Sequence, residues 1–522
     1  METTSLENLV DQMLQAEFYP HPVTQPIQVI QTHISWVVLT GNYVYKLKKS
    51  VNFGFLDYST LDRRLHFCQE ELRLNQRGAS KLYLQVVPIT WSGGKYHLGG
   101  KGEIVEYAVK MLQFPADALF SQLLSQGKLN QLHLQELGRV LADYHTKCLT
   151  NDYISGFGQV GLVRSAIDEN YIQTLKYIQK YSGGPQTQSR FEETKAYTDK
   201  FCQQYSELFA SRIAHQRIRE CHGDLHLANI ALWNEEIILF DCIEFNETFR
   251  FVDVMYDVAF TVMDLETKGR EDLANTFLNT YVEETGDWEG LQILPLYLTR
   301  QAYVRAKVNS FLLDDKAIGS ETRAIASQTA EKYYQQAWKY TQPRQGELIL
   351  MCGLSGSGKS TTGRYLAAKL GAVHLRSDAV RKHLAGISLK ERGSNEIYTP
   401  EMTQKTYNRL LVWGITLANQ GWSVILDAKY DRRYLRQQVI DQANKHQLPA
   451  KIVYCTAPLE VLEERILHRS NDITDATPEL LASQVEQYEV FTEEELPYIM
   501  VVDTTQPLAQ QISGKFRQVK AR

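Results

Sequence analysis

A short run in the C-terminal third has the residue types and spacing of a phosphate-binding loop. Its glycines allow successive backbone N–H groups to face an anion, and it ends in a lysine and a hydroxyl residue. The lysine suits the outer phosphates of a nucleotide, and the hydroxyl suits magnesium. The run is Gly353, Leu354, Ser355, Gly356, Ser357, Gly358, Lys359 and Ser360, followed by Thr361. The alternative, a glycine-rich turn without a ligand, gives no role to the final Lys-Ser pair.

The residues on either side of this loop predict the elements that must hold it. An apolar run, 348–352, precedes the loop and predicts a buried strand, while 361–370 has a helical pattern. A strand, a glycine-rich loop and a helix N-terminus together form an anion-binding site, because the helix end adds a partial positive charge. The loop therefore has the context that phosphate binding requires.

Other polar residues of this C-terminal part follow predicted strands. Asp427 ends the apolar run 423–426, where a carboxylate can hold magnesium through water. Asp378 and Arg381 follow another predicted strand and suit an acceptor hydroxyl and its charge, although a helix cap with a solvated arginine is the alternative. Arg465 and Arg469, at i and i+4, suit a lid that clamps the transferred phosphate, and an ordinary charged helix face is the alternative.

A second set of polar residues lies earlier in the chain. In the run Cys-His-Gly-Asp-Leu-His-Leu-Ala-Asn, Asp224 is followed five residues later by Asn229, the spacing of a kinase catalytic loop. Asp224 would orient the acceptor hydroxyl and receive its proton, and Asn229 would offer an amide oxygen to magnesium. Asp241, after the apolar run 237–240, is placed like a magnesium-binding carboxylate. A polar turn capped by histidine and aspartate is the alternative.

Length and composition limit the kind of protein. With 522 residues, 43% hydrophobic and 22% charged, the chain is long enough for two or three domains. We expect no membrane-spanning helix and no signal peptide, and seven scattered cysteines without a CxxC pair indicate a reduced, cytoplasmic protein. Residues 1–340 have 33 basic and 41 acidic residues, against 23 and 20 in 341–522. This mild asymmetry argues against a dedicated nucleic-acid-binding chain.

The pattern along the chain predicts two domains. A polar stretch with proline and glycine at 340–346 marks a boundary, so we expect one domain at 1–340 and a second at 341–522. In the first, short strand patterns and one helix precede a mostly helical region, which predicts a small lobe over about 1–112 and a large lobe over about 113–340. Strands alternate with helices only after residue 346, which predicts a parallel sheet.

Both parts resemble kinases. The residues of 346–510 resemble the P-loop kinases that phosphorylate hydroxyls, the group that contains gluconate kinase, chloramphenicol phosphotransferase, polynucleotide 5'-kinase and the zeta-toxin kinases. That resemblance implies that Asp378 is the base on the acceptor hydroxyl. The His-Gly-Asp-x-His-x-x-Asn loop resembles the aminoglycoside phosphotransferase and choline kinase branch of the kinase fold. The whole chain resembles the bacterial bifunctional proteins described as aminoglycoside phosphotransferase/ATP-binding protein.

The kinase branch implies an ATP-anchoring lysine on a small-lobe strand and a helix glutamate paired with it. We favour Lys46 and Glu71, with Lys48 and Glu70 as the alternatives. The acidic residues after Asp241 would either bind a cationic acceptor or brace the catalytic loop. No GxGxxG motif is present in the small lobe, so another turn must cover the phosphates.

The resemblance therefore implies an α+β bilobal kinase-like domain followed by an α/β P-loop domain, with ATP and Mg²⁺ as cofactors. The expected activity is transfer of the γ-phosphoryl group to hydroxyls of small-molecule acceptors, whose identity the sequence leaves open. Two alternatives remain. The P-loop domain would act as an ATP-dependent switch on the first domain, or the protein would be a polynucleotide-end kinase.

Overall fold

The computed structural model describes residues 2–178, 184–316, 318–468, 473 and 479–512. Within it the chain divides into two compact units. The first unit comprises Met1–Asn130, Asp143–Ile172 and Lys200–Thr261, and the second unit comprises Gln131–Ala142, Gln173–Asp199 and Val262–Arg522. Residues 262–340 thus belong to the same compact unit as the P-loop region. The boundary near 340 remains a prediction about where independently folding domains separate.

The first unit contains an antiparallel six-stranded sheet in the order β1-β2-β3-β6-β4-β5. Its strands are β1 (Gln28–Gln31), β2 (Ser35–Leu39), β3 (Tyr43–Lys48), β4 (Tyr83–Ser92), β5 (Lys95–Leu98) and β6 (Glu103–Leu112). Two small antiparallel pairs follow, β7 (Ile218–Glu220) with β10 (Phe251–Asp253) and β8 (Ile230–Trp233) with β9 (Glu236–Leu239).

Twenty α-helices are described, and their bounds follow in chain order. The first ten are α1 (Glu2–Met13), α2 (Leu61–Ala79), α3 (Phe120–Ser125), α4 (Gln131–Lys147), α5 (Asp152–Gly156), α6 (Val160–Thr174), α7 (Gln188–Gln204), α8 (Ser206–Ala214), α9 (Glu247–Arg250) and α10 (Val254–Thr267). The others are α11 (Glu271–Thr285), α12 (Leu294–Phe311), α13 (Ser320–Tyr340), α14 (Lys359–Leu370), α15 (Ser377–Ala385), α16 (Pro400–Asn419), α17 (Arg433–Lys445), α18 (Leu459–Leu467), α19 (Glu479–Gln487) and α20 (Leu508–Ile512).

Helix α2 carries a residue of the first site, and its sequence explains its bounds. Thr60 is the N-cap, and its hydroxyl accepts a hydrogen bond from the Arg63 N–H, which satisfies one of the free donors of the first turn. Cys68 and Ala79 lie on its buried face and pack in one cluster with residues of β6 and β9. Glu71 lies on that same buried face, so α2 places a carboxylate inside the unit.

The second unit contains a five-stranded sheet in which every paired strand is parallel, as the alternation after residue 346 predicts. Its order is β12-β13-β11-β14-β15, with β11 (Glu347–Cys352), β12 (Val373–Arg376), β13 (Ser423–Asp427), β14 (Ala450–Thr456) and β15 (Ile499–Asp503). The central strands are continuous apolar runs because helices cover both faces of such a sheet. Its core includes Ile349, Met351, Leu366, Ile425 and Val453.

Helix α11 packs against the outer edge of this sheet within the second unit. An edge strand presents unpaired backbone groups, and β12 is an edge strand. The Asn279 side chain accepts a hydrogen bond from the His374 N–H at 2.7 Å and donates one to the Ala372 carbonyl at 2.9 Å. The Asn275 amide also donates to Ala372, at 2.9 Å. Two side chains of one helix therefore replace the missing neighbouring strand.

The architecture expected from the sequence is confirmed, because an α+β region comes first and a domain with a parallel sheet follows it. Among the described residues, no helix combines the length and the apolar character needed to cross a membrane. All seven cysteines are buried, and none of them forms a disulfide.

Candidate active sites

The first site is built around Lys46 on β3. Its Nζ lies 2.7 Å from Glu71 Oε1 and 2.6 Å from Asp241 Oδ1. Three segments far apart in sequence therefore meet at one ammonium group. Burial alone lowers the pKa of Lys46, but the Asp241 and Glu71 carboxylates outweigh burial and hold that pKa well above its ordinary value. Lys46 is accordingly a fixed positive charge in this site.

The alternatives left open by the sequence take different places. Lys48 pairs with the other oxygen of Glu71, Oε2, at 2.8 Å, and its Nζ also contacts Glu244. Only Lys46 of the two lysines reaches Asp241, because Lys48 points to the side of Glu244. Glu70 instead pairs with Arg73 at 2.8 Å. The geometry thus favours the pair Lys46 and Glu71 over Lys48 and Glu70. That this pair anchors ATP remains a prediction.

The catalytic-loop residues Asp224 and Asn229 lie side by side. The Asn229 side-chain amide donates to the Asp224 carbonyl at 2.9 Å and to Asp224 Oδ2 at 3.3 Å. Two backbone positions nearby are left-handed, Gly223 at φ 86° and Asp241 at φ 64°. A side chain at Gly223 would come within 2.6 Å of the Phe249 carbonyl, so only glycine fits there. A left-handed aspartate is uncommon, and such strained positions concentrate at functional sites.

The acidic residues after Asp241 brace the catalytic loop. Asp257 is fully buried, and its oxygens accept hydrogen bonds from the His222 and Gly223 backbone N–H groups at 2.7 and 2.8 Å. Asp253 forms a buried ion pair with Arg212 at 2.7 Å, and Glu244 forms an ion pair with Lys48. These carboxylates are therefore paired within the protein, which favours bracing over binding of a cationic acceptor.

The donor set of the first site fits a magnesium ion. Mg²⁺ prefers oxygen ligands. The Asn229 nitrogen is engaged with Asp224, so its amide oxygen is the atom oriented for a metal, and Asp241 adds a carboxylate beside it in the site. Desolvation raises the pKa of Asp241, but Lys46 outweighs it and holds that pKa below its ordinary value. The carboxylate is therefore ionised, as a metal ligand must be.

The P-loop site lies at the end of β11, the central strand of the parallel sheet. Gly353 and Gly356 have φ of 139° and 78°, and a side chain at either would meet the backbone carbonyls of Cys455 and Leu462 at 2.4 and 2.6 Å. Both glycines are therefore required by close backbone packing as well as by the turn. Lys359 donates to the Leu354 carbonyl at 2.8 Å, so its ammonium lies over its own loop.

The loop also contains an unsatisfied polar atom. The Ser357 hydroxyl is buried, at 1% exposure, and has no hydrogen-bond partner among the described residues. Buried polar groups without a partner are uncommon and call for a ligand or water. Together with the N-terminus of α14, which begins at Lys359, this atom fits the binding of nucleotide phosphates.

Asp427 ends β13, as the sequence predicts, and has a partner that the sequence reasoning missed. This partner is His374 on the neighbouring strand β12, whose Nε2 lies 2.9 Å from Asp427 Oδ2. Desolvation raises the pKa of Asp427, but the bond to His374 and the nearby cations outweigh it and lower the pKa to about 2. The ionised carboxylate and the Ser360 hydroxyl, both lining the same cavity, fit a magnesium ion. An isolated histidine in a short strand gives no sequence signal for this role.

The residues expected to contact the acceptor line the same cavity, which has a volume of about 1460 Å³. Asp378 lies in the first turn of α15, and Arg381 follows one turn later. Arg381 is only 7% exposed, and its Nη1 donates to the Ile397 carbonyl at 2.9 Å and to Thr403 Oγ1 at 3.2 Å. The structure therefore brings Asp378 and Arg381 together with the phosphate-binding loop.

The structure describes only one of the two arginines expected to form a lid. Arg465 on α18 donates to Thr504 Oγ1 at 2.8 Å and to the Thr504 carbonyl at 2.9 Å, and its Nη1 lies 3.4 Å from the Gly356 carbonyl. It is thus held against the phosphate-binding loop. Helix α18 ends at Leu467, and Arg469 lies outside the described residues.

Comparisons with known proteins define the class. The model of the Phosphotransferase enzyme family matches residues 128–294, and that of the AAA domain family matches residues 348–491. The chain is 29% identical to the shikimate kinase of Geobacter sulfurreducens over 161 residues, 29% of this chain and 82% of that protein. A solved amicoumacin kinase is 12% identical with a TM-score of 0.37, covering 63% of this chain and 93% of its own.

The protein is an ATP-dependent kinase in which a phosphotransferase domain of the aminoglycoside phosphotransferase type precedes a P-loop kinase domain. The resemblance found in the sequence is thereby confirmed. The chain is also 30% identical over 469 residues to an uncharacterized protein of Mycobacterium tuberculosis, covering 89% of this chain and 91% of that protein. It belongs to the family of that mycobacterial protein.

Proposed function

We propose that the protein has two nucleotide sites, each of which binds MgATP and transfers the γ-phosphoryl group to a hydroxyl of a small molecule. One observation carries the proposal: each unit contains its own full set of groups for phosphoryl transfer. Each set has a lysine for phosphates, oxygen donors for magnesium and a carboxylate for the acceptor proton. The sets are Lys46, Asn229, Asp241 and Asp224 in the first unit, and Lys359, Ser360, Asp427 and Asp378 in the second.

In the first site the chain positions the reactants and neutralises charge. Lys46, held by Glu71 and Asp241, is placed to bind phosphate oxygens. Asp224 orients the acceptor hydroxyl, whose oxygen forms the new bond to the γ-phosphorus while the bond to the β-phosphate oxygen breaks. ADP leaves, and the hydroxyl proton passes to Asp224. Asn229 and Asp241 would hold the magnesium ion, which would further neutralise the phosphate charge.

In the P-loop site, phosphate binding depends more on backbone groups than it does in the first site. The loop N–H groups and the N-terminus of α14 bind phosphate oxygens, and Lys359 adds a positive charge. Asp378 has the role in this site that Asp224 has in the first site, and it receives the proton of the acceptor hydroxyl. Ser360 and Asp427 would hold the magnesium ion, which would neutralise phosphate charge, and His374 keeps the Asp427 carboxylate in place.

The experiment is transfer of label from γ-labelled ATP into a metabolite extract, with products followed by mass spectrometry. Asp224→Asn should remove products of the first site, with kcat lowered about 10²- to 10⁴-fold, and leave those of the second. Lys359→Ala should do the reverse, with a loss of about 10²- to 10³-fold.

Two results would contradict the proposal. If every labelled product disappeared in Lys359→Ala and none in Asp224→Asn, the first unit would not be a kinase on its own. If ATP gave only free phosphate in every variant, a nucleotide-dependent switch would replace phosphotransfer to an acceptor.

A further inference from the structure

Four phenylalanine rings form a cluster on the surface of the first unit. Phe53 and Phe55 come from the β3–α2 loop, residues 49–60, and Phe245 and Phe249 come from the segment that leads into β10. The ring of Phe55 is central, since its centroid lies 6.1 Å from those of Phe53 and Phe245 and 6.4 Å from that of Phe249. Phe53 and Phe55 are nevertheless 49% and 44% exposed. Apolar side chains scattered singly on a surface are ordinary, whereas a contiguous exposed group of them marks a place where something binds.

The β3–α2 loop is fastened in this place by hydrogen bonds. Its two arms pair, since the Tyr58 N–H donates to the Val51 carbonyl at 2.8 Å. The Asn246 side chain donates to the Phe55 carbonyl at 3.0 Å, and the Tyr58 hydroxyl donates to Glu244 Oε1 at 2.5 Å. The loop is therefore bonded both to itself and to the segment that carries the other two rings. Such an arrangement is formed before a ligand arrives, which lowers the cost of ordering the rings when the ligand binds.

The cluster adjoins the catalytic loop of the first site. A side chain at Gly223 would come within 2.6 Å of the Phe249 carbonyl and 3.4 Å of Ile243 Cβ, so the segment 243–250, which carries two of the rings, packs directly on that loop. Asp224, the candidate base, is the next residue, and its side chain is 36% exposed. A molecule that rests on the rings would therefore lie next to the loop that carries the candidate base.

The charged groups of the β3–α2 loop and of the segment 243–250 already have partners within the chain. The carboxylates pair as Asp57 with Arg63, Glu244 with Lys48, and Glu247 with the Tyr153 hydroxyl. The cations contact the Thr32 carbonyl, through Lys49, and Glu220, through Arg250. Among aromatic side chains tryptophan binds cations best, and the cluster consists of phenylalanine alone. What these two segments offer to a ligand is therefore apolar ring surface and not charge.

We infer that the acceptor of the first site is a hydroxyl compound with a flat apolar group, and that this group packs on the phenylalanine cluster with Phe55 at its centre. The inference rests on the proposed function of this site and names the acceptor class. Packing against aromatic rings in stacked or edge-to-face geometry holds a flat group in a preferred orientation. The hydroxyl of the same molecule is then directed to Asp224. Its oxygen bonds to the γ-phosphorus, the bond to ADP breaks, and the proton passes to Asp224.

The test uses the full-length protein with Lys359→Ala, which silences the P-loop site, together with γ-labelled ATP and a metabolite extract. The extract is separated before the reaction on a reversed-phase column into a retained, apolar pool and an unretained, polar pool. The same protein with Asp224→Asn added is the blank. We expect label that depends on Asp224 from the retained pool alone, because only acceptors with an apolar group can use the cluster.

Substitution then tests the central ring on the acceptor purified from that pool. Phe55→Ala should raise the KM for the acceptor roughly tenfold or more, with the KM for ATP changed by less than about threefold. Phe55→Trp, which keeps a flat ring and guards against misfolding, should keep the acceptor KM within about threefold of the unsubstituted value. Trp91→Ala is the matched control, since Trp91 is an exposed ring of the same unit that contacts Tyr96 and is not part of the cluster. It should behave as the unsubstituted protein.

Several outcomes would overturn the inference. Asp224-dependent label from the unretained pool would do so while leaving phosphotransfer by the first site intact. In Phe55→Ala, an unchanged acceptor KM, or an equal rise in the KM for ATP, would show that this ring does not hold the acceptor. If the unsubstituted protein sedimented as a dimer that Phe55→Ala dissociates, with the acceptor KM unchanged, the cluster would be a contact between copies of this chain. Absence of any Asp224-dependent label would instead refute the proposed function, and the inference with it.

Discussion

The first site and the P-loop site handle positive charge in opposite ways. In the first, two lysines are matched by three carboxylates of the protein, Glu71, Asp241 and Glu244. In the second, cations exceed acids, and phosphate binding is assigned to backbone groups of a glycine loop. The first site is thus organised by the chain's own ion pairs, whereas the second is organised by backbone geometry and has more cations than acids.

This difference determines which changes each site tolerates. Removing one carboxylate from the first site leaves a buried lysine without its partner. Removing one from the second changes a site that already carries excess positive charge. The three predictions below test this contrast, beginning with the largest expected effect.

Glu71→Gln should destabilise the first site by about 3 to 5 kcal/mol, because Glu71 is fully buried and serves Lys46 and Lys48 at once. Hydrogen exchange of β3 and α2 amides measures the local opening free energy. Glu70→Gln is the control and should cost less than about 1 kcal/mol, since Glu70 pairs with the partly exposed Arg73. Equal losses in the two variants would mean that the Lys46–Glu71–Lys48 arrangement does not organise this site.

Sequence alone predicts those parts of each site that lie within one motif. The phosphate-binding loop and the Asp224 to Asn229 spacing are local, and in the structure the loop precedes α14 and the Asn229 amide donates to Asp224. The choice between Lys46 and Lys48 depends on how the end of β9 meets β3, a long-range contact that no motif encodes. The sequence did not predict the contact of His374 with Asp427, because that contact depends on the pairing of β12 with β13.

The lowered pKa of Asp427 predicts a pH dependence in the second unit. Asp427 has a pKa of about 2 in place of the ordinary 3.8, so its ionised form is preferred in the folded state. That preference is worth about 2 kcal/mol, is fully present above pH 4, and is lost as the pH falls from about 4 through about 2.

Urea unfolding of the unsubstituted protein and Asp427→Asn at several pH values measures this contribution. The stability difference between them should be constant from pH 7 to 5 and shrink as the pH approaches 3. If the stability difference between the two proteins grew as the pH fell, Asp427 would not be held as a carboxylate in the folded state. The contact with His374 would then need another explanation.

The smallest expected effect concerns the contact of α11 with β12, and it bears on where the P-loop domain begins. Asn279→Ala would leave the His374 N–H without its acceptor, at a cost of about 1 to 3 kcal/mol. Asn275→Ala should cost less, because the Ala372 carbonyl keeps its bond from Asn279. Hydrogen exchange at His374 distinguishes the two variants.

The result also decides how separate the two kinase domains are. Helix α11 lies within the region matched by the Phosphotransferase enzyme family, yet its asparagines complete the edge strand that carries His374 and precedes Asp378. If Asn279→Ala speeds exchange at His374, the P-loop site depends on residues before 340, and a fragment beginning at 341 should hold Asp427 less firmly. Unchanged exchange would instead favour an independent P-loop domain, as the composition near 340 predicts.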